Sequence, residues 1–374
     1  MTSFARNDRS LLGRWWWTVD RWTLATIGLL IGIGAMMILA ASPAVANRIN
    51  LDSFSLARHH FVLIPVAVAL MLGASLLSPR QIRRLALLGF VGSVGLTALT
   101  LVFGPEIKGA TRWLDIGGFS LQPSEFVKPC FAVVAGWMFA AQHGRQRMPG
   151  NAISILLYML VVGILLLQPD LGMTVLVSCT WFAQFFLAGL PIIWVLLLAT
   201  AAAVAIVGAY FTFAHVAERI DGFLHPGSTD SYQIDRSLEA FANGGLWGRG
   251  PGEGTVKLVL PDAHADFVFA VAGEELGIIA CILIVGLFLL VIGRGTTRLM
   301  QERNLFVMLA AAGLLVTFGL QAFVNMASSL HLMPTKGMTL PFISYGGSSL
   351  LASALGMGML LALTRKRFGP GEDA

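Results

Sequence analysis

One carboxylate stands at the entrance to a long apolar stretch of the chain. Asp266 follows the polar segment Leu260-Pro-Asp-Ala-His-Ala and precedes Phe-Val-Phe-Ala-Val-Ala. An ionised side chain is costly beside hydrocarbon and persists there with a partner, with access to water or with a chemical task. Asp266 is therefore a candidate general base, the group that takes a proton from a reacting hydroxyl.

Two further carboxylates follow Asp266 in the same apolar stretch. If residue 266 begins a helix, Glu274 lies about 12 Å further along the axis and Glu275 points to nearly the opposite side. The paired acids of glycosidases are roughly 5 to 9.5 Å apart. The spacing therefore predicts a single base and not a hydrolytic pair.

Three cations can approach Asp266 from other segments. Arg112 and Lys336 lie in segments between apolar runs, and Lys128 lies in Gln122-Pro-Ser-Glu-Phe-Val-Lys. Such cations predict a site for a phosphate-bearing substrate. Lys128 is also three residues from Glu125, on the same helix face. A buried ion pair and a charged-substrate contact are both open for these two residues.

The run Gly346-Gly347-Ser348-Ser349 opens the last apolar segment. Free backbone N–H groups at a helix start favour phosphate, whereas small residues also allow close helix packing. Both interpretations stay open. His264 and Asp262 could orient Asp266 or a substrate.

No cluster of carboxylates demands a metal ion. A divalent cation, Mg²⁺ or Mn²⁺, could nevertheless share Asp266 with diphosphate oxygens, and no organic cofactor is expected. Cys130, Cys179 and Cys281 fall at unrelated positions within apolar segments, so neither a disulfide framework nor a zinc site is indicated.

The elements that position these residues are membrane spans. The 374 residues are 56% hydrophobic and only 12% charged, against roughly 25% charged in soluble domains. This composition predicts an all-α polytopic membrane protein and excludes an ordinary soluble enzyme. Ten segments approach the length of a spanning helix: 22–42, 61–77, 84–103, 124–141, 152–167, 171–188, 191–213, 266–292, 304–328 and 342–364.

The distribution of Lys and Arg predicts the orientation. Placing both termini in the cytoplasm puts the Lys and Arg groups at residues 6–21, 80–84, 145–147, 294–303 and 365–367 inside, and leaves the outer loops poorer in cations for their length. The basic charge thus reflects topology and anionic lipid, with no nucleic acid as partner. Ala44-Val-Ala46 mimics a signal-peptidase site, but the preceding apolar run is too long for a signal peptide.

The predicted organisation has three parts. Residues 1–21 form a cytoplasmic tail, 22–364 the ten-helix domain and 365–374 a second cytoplasmic tail. A large periplasmic loop, about 214–265, joins helices seven and eight. Within this loop, Ser237-Leu-Glu-Ala-Phe predicts a short amphipathic helix that ends at Gly244 and Gly245.

Six groups of residues together resemble the SEDS family over about residues 22 to 364. They are Gly109-Ala-Thr-Arg-Trp-Leu with Gln122-Pro-Ser-Glu-Phe-Val-Lys, Gln168-Pro-Asp-Leu-Gly, Tyr232-Gln with Ser237-Leu, Leu260-Pro-Asp-Ala-His-Ala-Asp with Gly273-Glu-Glu-Leu-Gly, Met333-Pro-Thr-Lys-Gly-Met-Thr-Leu-Pro, and Pro341-Phe-Ile-Ser-Tyr-Gly-Gly-Ser-Ser. The Met333 group resembles the cell-division members from Gram-negative bacteria. Ala265 departs from the Thr or Ser of many relatives but keeps a small side chain.

The resemblance implies a peptidoglycan glycosyltransferase that polymerises lipid II at the outer face of the inner membrane, at the division septum. It implies a class B penicillin-binding transpeptidase and other division proteins as partners, beside membrane lipids. The family's proposed catalytic aspartate falls on Asp266. The resemblance and the site chemistry together give a set of expected substrate-binding residues: Arg112, Glu125, Lys128, Gln233, His264, Lys336, Ser344, Tyr345, Gly346, Gly347 and Ser348.

Two other functions stay open on the sequence. Ten spans with internal charges and helix ends broken by Gly and Pro also suit a lipid II flippase that works by alternating access. A scaffold that only recruits the transpeptidase is the third alternative.

Overall fold

The computed structural model describes residues 10–106, 110–117, 119–144, 148–212, 217, 221, 232–334 and 337–366. Lys336 and most of residues 213–231 lie outside this described part, as do the two ends of the chain. The described helices are α1 Leu11–Thr18, α2 Arg21–Arg48, α3 Ser55–Ser75, α4 Pro79–Phe103, α5 Ser124–Gln142, α6 Gly150–Leu167, α7 Leu171–Leu187, α8 Ile192–Thr212, α9 Tyr232–Gly244, α10 Val268–Leu299, α11 Leu305–Ser329 and α12 Gly347–Leu363. Two short antiparallel strands, β1 Leu114–Ile116 and β2 Phe119–Leu121, lie between α4 and α5.

Six of the described helices are long and apolar enough to cross a membrane, namely α2, α3, α4, α6, α10 and α11. Helices α7 and α12 are shorter and apolar. Helices α5 and α8 occupy the two remaining predicted segments. The prediction of a largely helical, membrane-spanning chain is thereby confirmed.

The centre of the bundle is formed by α5, α11 and α12, whose side chains are buried along most of their lengths. Helix α11 packs on α5, and α12 packs on α3. Peripheral helices such as α6 expose Leu156, Met159 and Leu167, as expected of surfaces that face lipid. The central helices carry the polar residues that build the candidate site.

Two predicted spans begin later than expected. The eighth was predicted from residue 266, but α10 begins at Val268 because the preceding residues form a turn in which Asp262 has a φ of 50°. The tenth was predicted from residue 342, but α12 begins at Gly347 because Phe342 has a φ of 65°. Both departures place site residues in turns and not on helices.

Helix α10 is interrupted at Gly277, where φ is 81° and ψ is 175°. A Cβ atom at this position would lie 2.4 Å from the Leu246 carbonyl oxygen and 2.5 Å from the Gly248 nitrogen. The loop that joins α9 to α10 therefore packs directly against the backbone of α10. Only glycine accommodates both this backbone conformation and this close contact.

The predicted amphipathic helix in the outer loop is confirmed as α9. It ends at Gly244, as the glycine signal indicated, and packs on the start of α10. Gly244 allows this approach, since a Cβ atom there would lie 2.0 Å from the Gly273 carbonyl oxygen. Ser237 donates a hydrogen bond of 2.7 Å to the Ser329 carbonyl at the end of α11.

Candidate functional site

Asp266 lies in a tight turn immediately before α10. The Asp262 carbonyl accepts hydrogen bonds from the backbone nitrogens of Ala265 and Asp266, each at 3.0 Å. Because Asp266 is not on the helix, the helical separation predicted between it and Glu274 does not apply. Its carboxylate faces the next loop, since a Cβ atom at Gly337 would lie 3.5 Å from Asp266 Oδ2.

The segment Gly337–Gly346 is fastened to the Asp266 turn through the backbone. Ser344 Oγ donates to the Ala265 carbonyl at 2.5 Å, and Tyr345 N donates to the His264 carbonyl at 2.9 Å. Ser344 Oγ also accepts from Leu340 N at 2.7 Å. The predicted residues Ser344 and Tyr345 are thus brought to Asp266, through positioning contacts.

Asn325 of α11 hydrogen-bonds to both the Asp266 turn and the Gly337–Gly346 segment. Its side-chain amide donates to the Asp266 carbonyl at 2.8 Å and to the Met338 carbonyl at 2.6 Å. Asn325 is buried, at 1% exposure. The two hydrogen bonds from this buried amide hold the Asp266 turn at a fixed position relative to α11.

Glu125 and Lys128 form a buried ion pair of 2.7 Å at the start of α5. The Lys128 ammonium also donates to Gln321 Oε1 at 2.7 Å. Gln321 in turn donates to the Thr339 carbonyl at 3.0 Å, and Thr339 Oγ1 lies 2.6 Å from Ser349 Oγ. Of the two alternatives for this pair, the geometry favours the buried ion pair, which supports the Gly337–Gly346 segment.

The glycine-serine run at the start of α12 makes packing and capping contacts. Ser348 Oγ accepts a hydrogen bond of 2.9 Å from Gln122 N, next to the start of α5. Gly346 is the N-cap of α12 and Gly347 its first residue. These contacts tie the predicted anion-binding run to the segment that carries Glu125 and Lys128.

Tyr345 stands among three histidine rings. Its ring centroid is 4.9 Å from that of His264 and 5.7 Å from that of His60, and its hydroxyl lies 3.5 Å from His59 Nδ1. Burial is the main cause that lowers the pKa of His264 to about 4; the Asp262 carboxylate acts in the opposite direction, and Arg48 adds a smaller lowering effect. His264 is therefore neutral at physiological pH and does not add positive charge beside Asp266.

Glu274 and Glu275 bind the loop that joins α9 to α10. Glu274 accepts from the backbone nitrogens of Thr255 and Val256 at 3.0 Å. Glu275 forms an ion pair of 2.5 Å with Lys257 and accepts from Gly252 N at 2.8 Å. Both are fully buried or nearly so. They hold the loop on α10 and do not form an acid pair with Asp266.

The remaining predicted binding residues lie on other elements. Arg112 donates to the Pro169 carbonyl at 2.8 Å and lies 3.6 Å from Asp170, with 30% of its side chain exposed. Gln233 is half-buried on α9. Lys336 lies outside the described residues, although it directly precedes Gly337 in the chain.

The donor set around Asp266 does not make a metal site of protein ligands alone. Within the described part of the chain, no group of three or more His, Cys, Asp or Glu residues is placed to hold an ion. A Mg²⁺ or Mn²⁺ ion would thus depend on substrate oxygens and water for most of its ligands. The cysteines Cys130, Cys179 and Cys281 are free.

Four site residues escaped the sequence prediction: His59, His60, Gln321 and Asn325. The first two are adjacent histidines at the start of an apolar segment. Gln321 and Asn325 are four residues apart in α11, and therefore share one helix face. A search for polar residues at helical spacing inside apolar segments would have found this second pair.

Comparison with known proteins agrees with the architecture. The model of the FtsW, RodA and SpoVE family, described as cell cycle protein, matches residues 21–368. A relative from Caulobacter vibrioides, named probable peptidoglycan glycosyltransferase FtsW, is 47% identical over 368 residues, covering 98% of this chain and 94% of the relative. A relative of the same name from Coxiella burnetii is 35% identical, covering 93% of this chain and 96% of the relative.

Solved structures share the fold. One comes from work on the coordination of polymerization and crosslinking by a peptidoglycan synthase complex; it has a TM-score of 0.76 and 28% identity, over 92% of this chain and 97% of that one. The rod shape determining protein RodA of Thermus thermophilus has a TM-score of 0.69 and 28% identity, over 93% of this chain and 97% of that one. The expected resemblance to the SEDS family and its division members is confirmed. The chain belongs to the FtsW, RodA and SpoVE family of cell cycle proteins.

Proposed function

We propose that this chain is a peptidoglycan glycosyltransferase that polymerises lipid II during septal cell-wall synthesis, with Asp266 as its general base. One observation carries the assignment of the base. The Asp266 turn is fixed by hydrogen bonds from α11 and from the Gly337–Gly346 segment, while its carboxylate faces Gly337 at the mouth of the bundle. The names of the relatives support the substrate and reaction.

The reaction needs one proton acceptor and one stabilised leaving group. Asp266 takes the proton of the incoming sugar hydroxyl as that oxygen bonds to the anomeric carbon of the second substrate. The bond from that carbon to the lipid diphosphate breaks, and its electron pair leaves with the diphosphate. Glu274 and Glu275 do not contribute a second acid, because both are engaged by the outer loop.

The departing diphosphate requires cations. Arg112 is partly exposed, and Asp170, at 3.6 Å, is its only carboxylate contact among the described residues, so its guanidinium can exchange Asp170 for a phosphate. Lys336 precedes the glycine that Asp266 faces. Lys128 acts indirectly, since its ammonium is held by Glu125 and Gln321.

The proposed topology has ten spans with both chain ends in the cytoplasm of the inner membrane. Helix α11 supports this orientation: Asn325 near its end contacts the Asp266 turn, and Arg303 lies just before its start. Lipid tails then stay in the bilayer while the reacting sugars meet the outer aqueous phase, which confines and orients both substrates.

A class B penicillin-binding transpeptidase is the proposed partner, with other division proteins. The similarity to a chain of a peptidoglycan synthase complex supports this proposal. A partner that orders the outer loop around α9 would also gate the reaction.

A lipid II flippase is the competing function, and a scaffold the third. A flippase that moves its internal charges during transport is disfavoured by two buried ion pairs, Lys128 with Glu125 and Lys257 with Glu275. Each lysine also donates a further hydrogen bond, to Gln321 and to the Gly252 carbonyl respectively. Buried pairs of this kind are costly to break.

The deciding assay supplies fluorescent lipid II to the purified chain, with and without its transpeptidase. Glycan chains in detergent are the expected result. In sealed vesicles, movement of lipid II between leaflets without any polymer would instead identify a flippase, and neither activity would leave a scaffold.

A further inference from the structure

A second polar region lies at the end of the bundle opposite Asp266. Helix α11 connects the two, with Phe306 at one end and Asn325, which contacts the Asp266 turn, at the other. The intervening helix is roughly 30 Å long, which matches the thickness of the hydrocarbon core. The second region therefore lies at the other membrane interface.

Two adjoining cavities of about 450 and 360 Å³ open there, between the starts of α4 and α11 and the end of α5. They share Arg83 and Trp137. Arg80 and Arg84 line the smaller one, and Asn304 and Phe306 line the larger one. Among the described residues, none that lines either cavity is a carboxylate.

The arginines are unusual for their position. Arg80, Arg83 and Arg84 stand in the first two turns of α4, where the helix dipole disfavours cations and favours anions. Among the described residues none of the three has a carboxylate partner. The start of α11 adds its own positive end to the same cavity. Three like charges therefore converge at the start of α4, whereas the positive end of α11 is partly offset by Glu302, which accepts hydrogen bonds from Arg303 N and Asn304 N.

The Arg83 guanidinium is held in place by aromatic rings. It lies 5.5 Å from the ring centroid of Trp137 and 5.3 Å from that of Phe306, both within the range of cation–π attraction. A guanidinium fixed in this way presents its N–H fork in a defined direction, which suits a phosphate.

An apolar strip continues from the arginines along α4. Leu87 lines the smaller cavity, and Leu88 and Val91 are 73% and 63% exposed. A free phosphate would make no use of this strip, whereas an acyl chain would lie along it. Trp137 at the boundary between the charged and apolar parts fits the headgroup depth of a membrane.

We propose that Arg80, Arg83 and Arg84, with Trp137, bind the phosphate headgroup of an anionic phospholipid from the inner leaflet. The proposal rests on the orientation given above but is independent of the reaction at Asp266. A headgroup phosphate offsets part of the positive charge of the three arginines, and the acyl chain of the lipid covers the exposed face of α4.

The test measures lipid retained by the full chain, purified in detergent, by native mass spectrometry. The probes are phosphatidylglycerol, phosphatidylcholine with the same acyl chains, and inorganic phosphate. The variants are Arg83→Gln, the double variant Arg80→Gln/Arg84→Gln, and Arg303→Gln as the matched control. Arg303 is exposed at the same end and lines neither cavity.

The wild-type chain and Arg303→Gln should retain one phosphatidylglycerol where phosphatidylcholine and phosphate are lost. Arg83→Gln should weaken this binding about 5-fold, because one arginine near a membrane surface contributes about 1 kcal/mol to lipid binding. The double variant should weaken the binding more. If Arg83→Gln retains as much phosphatidylglycerol as Arg303→Gln, the site is overturned. If Arg83→Gln does not fold, the same comparison is made with the double variant of the exposed Arg80 and Arg84. Saturation by inorganic phosphate at the same concentration overturns the lipid as ligand.

Discussion

Buried side-chain amides that join two backbone carbonyls recur among the described residues of this bundle, at Asn325, Gln184 and Gln168. Asn325 joins the carbonyls of Asp266 and Met338 at the candidate site. Gln184 joins those of Ala132 and Leu309, with Nε2 at 2.6 and 2.9 Å. Asn325 and Gln184 are both buried. Comparing variants of the two therefore separates a contribution to stability from a contribution to the candidate site.

Replacing either amide should destabilise the protein, but only one replacement should impair catalysis. Asn325→Leu and Gln184→Leu each remove two buried hydrogen bonds to backbone carbonyls, which costs on the order of 1 to 3 kcal/mol. Asn325→Leu should in addition lower the polymerisation rate about tenfold to a hundredfold, because the Asp266 turn is no longer held at a fixed position relative to α11. Thermal unfolding and lipid II polymerisation of both variants check this; equal rates in the two would contradict it.

His264 provides a prediction about pH. Its pKa is lowered from 6.5 to about 4, chiefly by burial. Between these two values the unfolded chain takes up a proton that the folded chain refuses, so stability should fall as the pH is lowered from 6.5 towards 4. An NMR titration of labelled histidine should find His264 neutral until about pH 4 in the folded chain and titrating near 6.5 in the denatured chain. Titration near 6.5 in both would contradict the burial.

At this scale the sequence indicates Asp266 as a candidate base but does not indicate the residues that support its turn. Asp266 was recognised from one local property, a charge beside an apolar run. The role of Lys128 depends on Gln321, which lies 193 residues away in the sequence. Contacts of such separation leave no local pattern, which is why the choice between ion pair and substrate contact needed the structure.

Helix α10 is the element that joins the outer loop to the membrane domain. The break at Gly277 lets the loop around Leu246 and Gly248 reach the helix backbone. Glu274 and Glu275, just before the break, hold the loop from the other side. The same helix contains Gly286, whose Cβ position is open.

Alanine at Gly277 and alanine at Gly286 of α10 should have opposite effects. Gly277→Ala places a side chain at a φ of 81° and against two backbone atoms, which should cost about 1 to 3 kcal/mol or more. Gly286→Ala meets nothing and should be neutral or stabilising by up to about 1 kcal/mol. Chemical unfolding in mild detergent measures both; a Gly277→Ala variant as stable as Gly286→Ala would show that the break is not required.

Helix ends departed from the predicted spans for a physical reason. Hydropathy marks the apolar interior of a span, whereas a helix continues until a cap or turn ends it. Helix α4 begins at Pro79, after a capping box formed by Ser78 and Gln81, and therefore includes arginines that the apolar segment from 84 excluded. Helix α12 begins late because the Ser344 side chain bonds to Leu340 N and fixes a turn.

On the scale of the whole molecule, polar networks stand at both ends of an apolar bundle. At one end is the Asp266 site. At the other, the buried carboxylate of Asp20 binds Arg294 at 2.9 Å and Arg298 at 3.2 Å, and Lys366 N donates to the Thr18 carbonyl. These contacts join the beginning and end of the described chain at one end of the bundle.

The orientation can be measured with single cysteines in a chain that carries Cys179→Ala. A cysteine at exposed position 115, in β1, should react with an impermeant maleimide in spheroplasts. A cysteine at exposed position 303 should react only after the membrane is opened. The reverse pattern would invert the topology and remove Asp266 from the outer face.

Much of the whole-molecule architecture followed from composition and spacing. The apolar segments all fall on helices, because a chain with so little charge has few other ways to satisfy its backbone in a membrane. The arrangement of those helices, with α5, α11 and α12 at the centre, was not predictable. All three are apolar around most of their surface, and hydropathy does not distinguish a neighbour helix from lipid.

The central claim is that Asp266 is the base for glycan polymerisation. The most direct measurement compares initial rates of lipid II polymerisation by the wild-type chain, Asp266→Asn and Asp115→Asn, each with its transpeptidase and each checked for an unchanged melting temperature. Asp115 is an exposed carboxylate in β1 and serves as the matched control. Loss of a general base should reduce the rate by at least about a hundredfold in Asp266→Asn, with Asp115→Asn near wild type. Polymerisation at the normal rate by folded Asp266→Asn would contradict the claim.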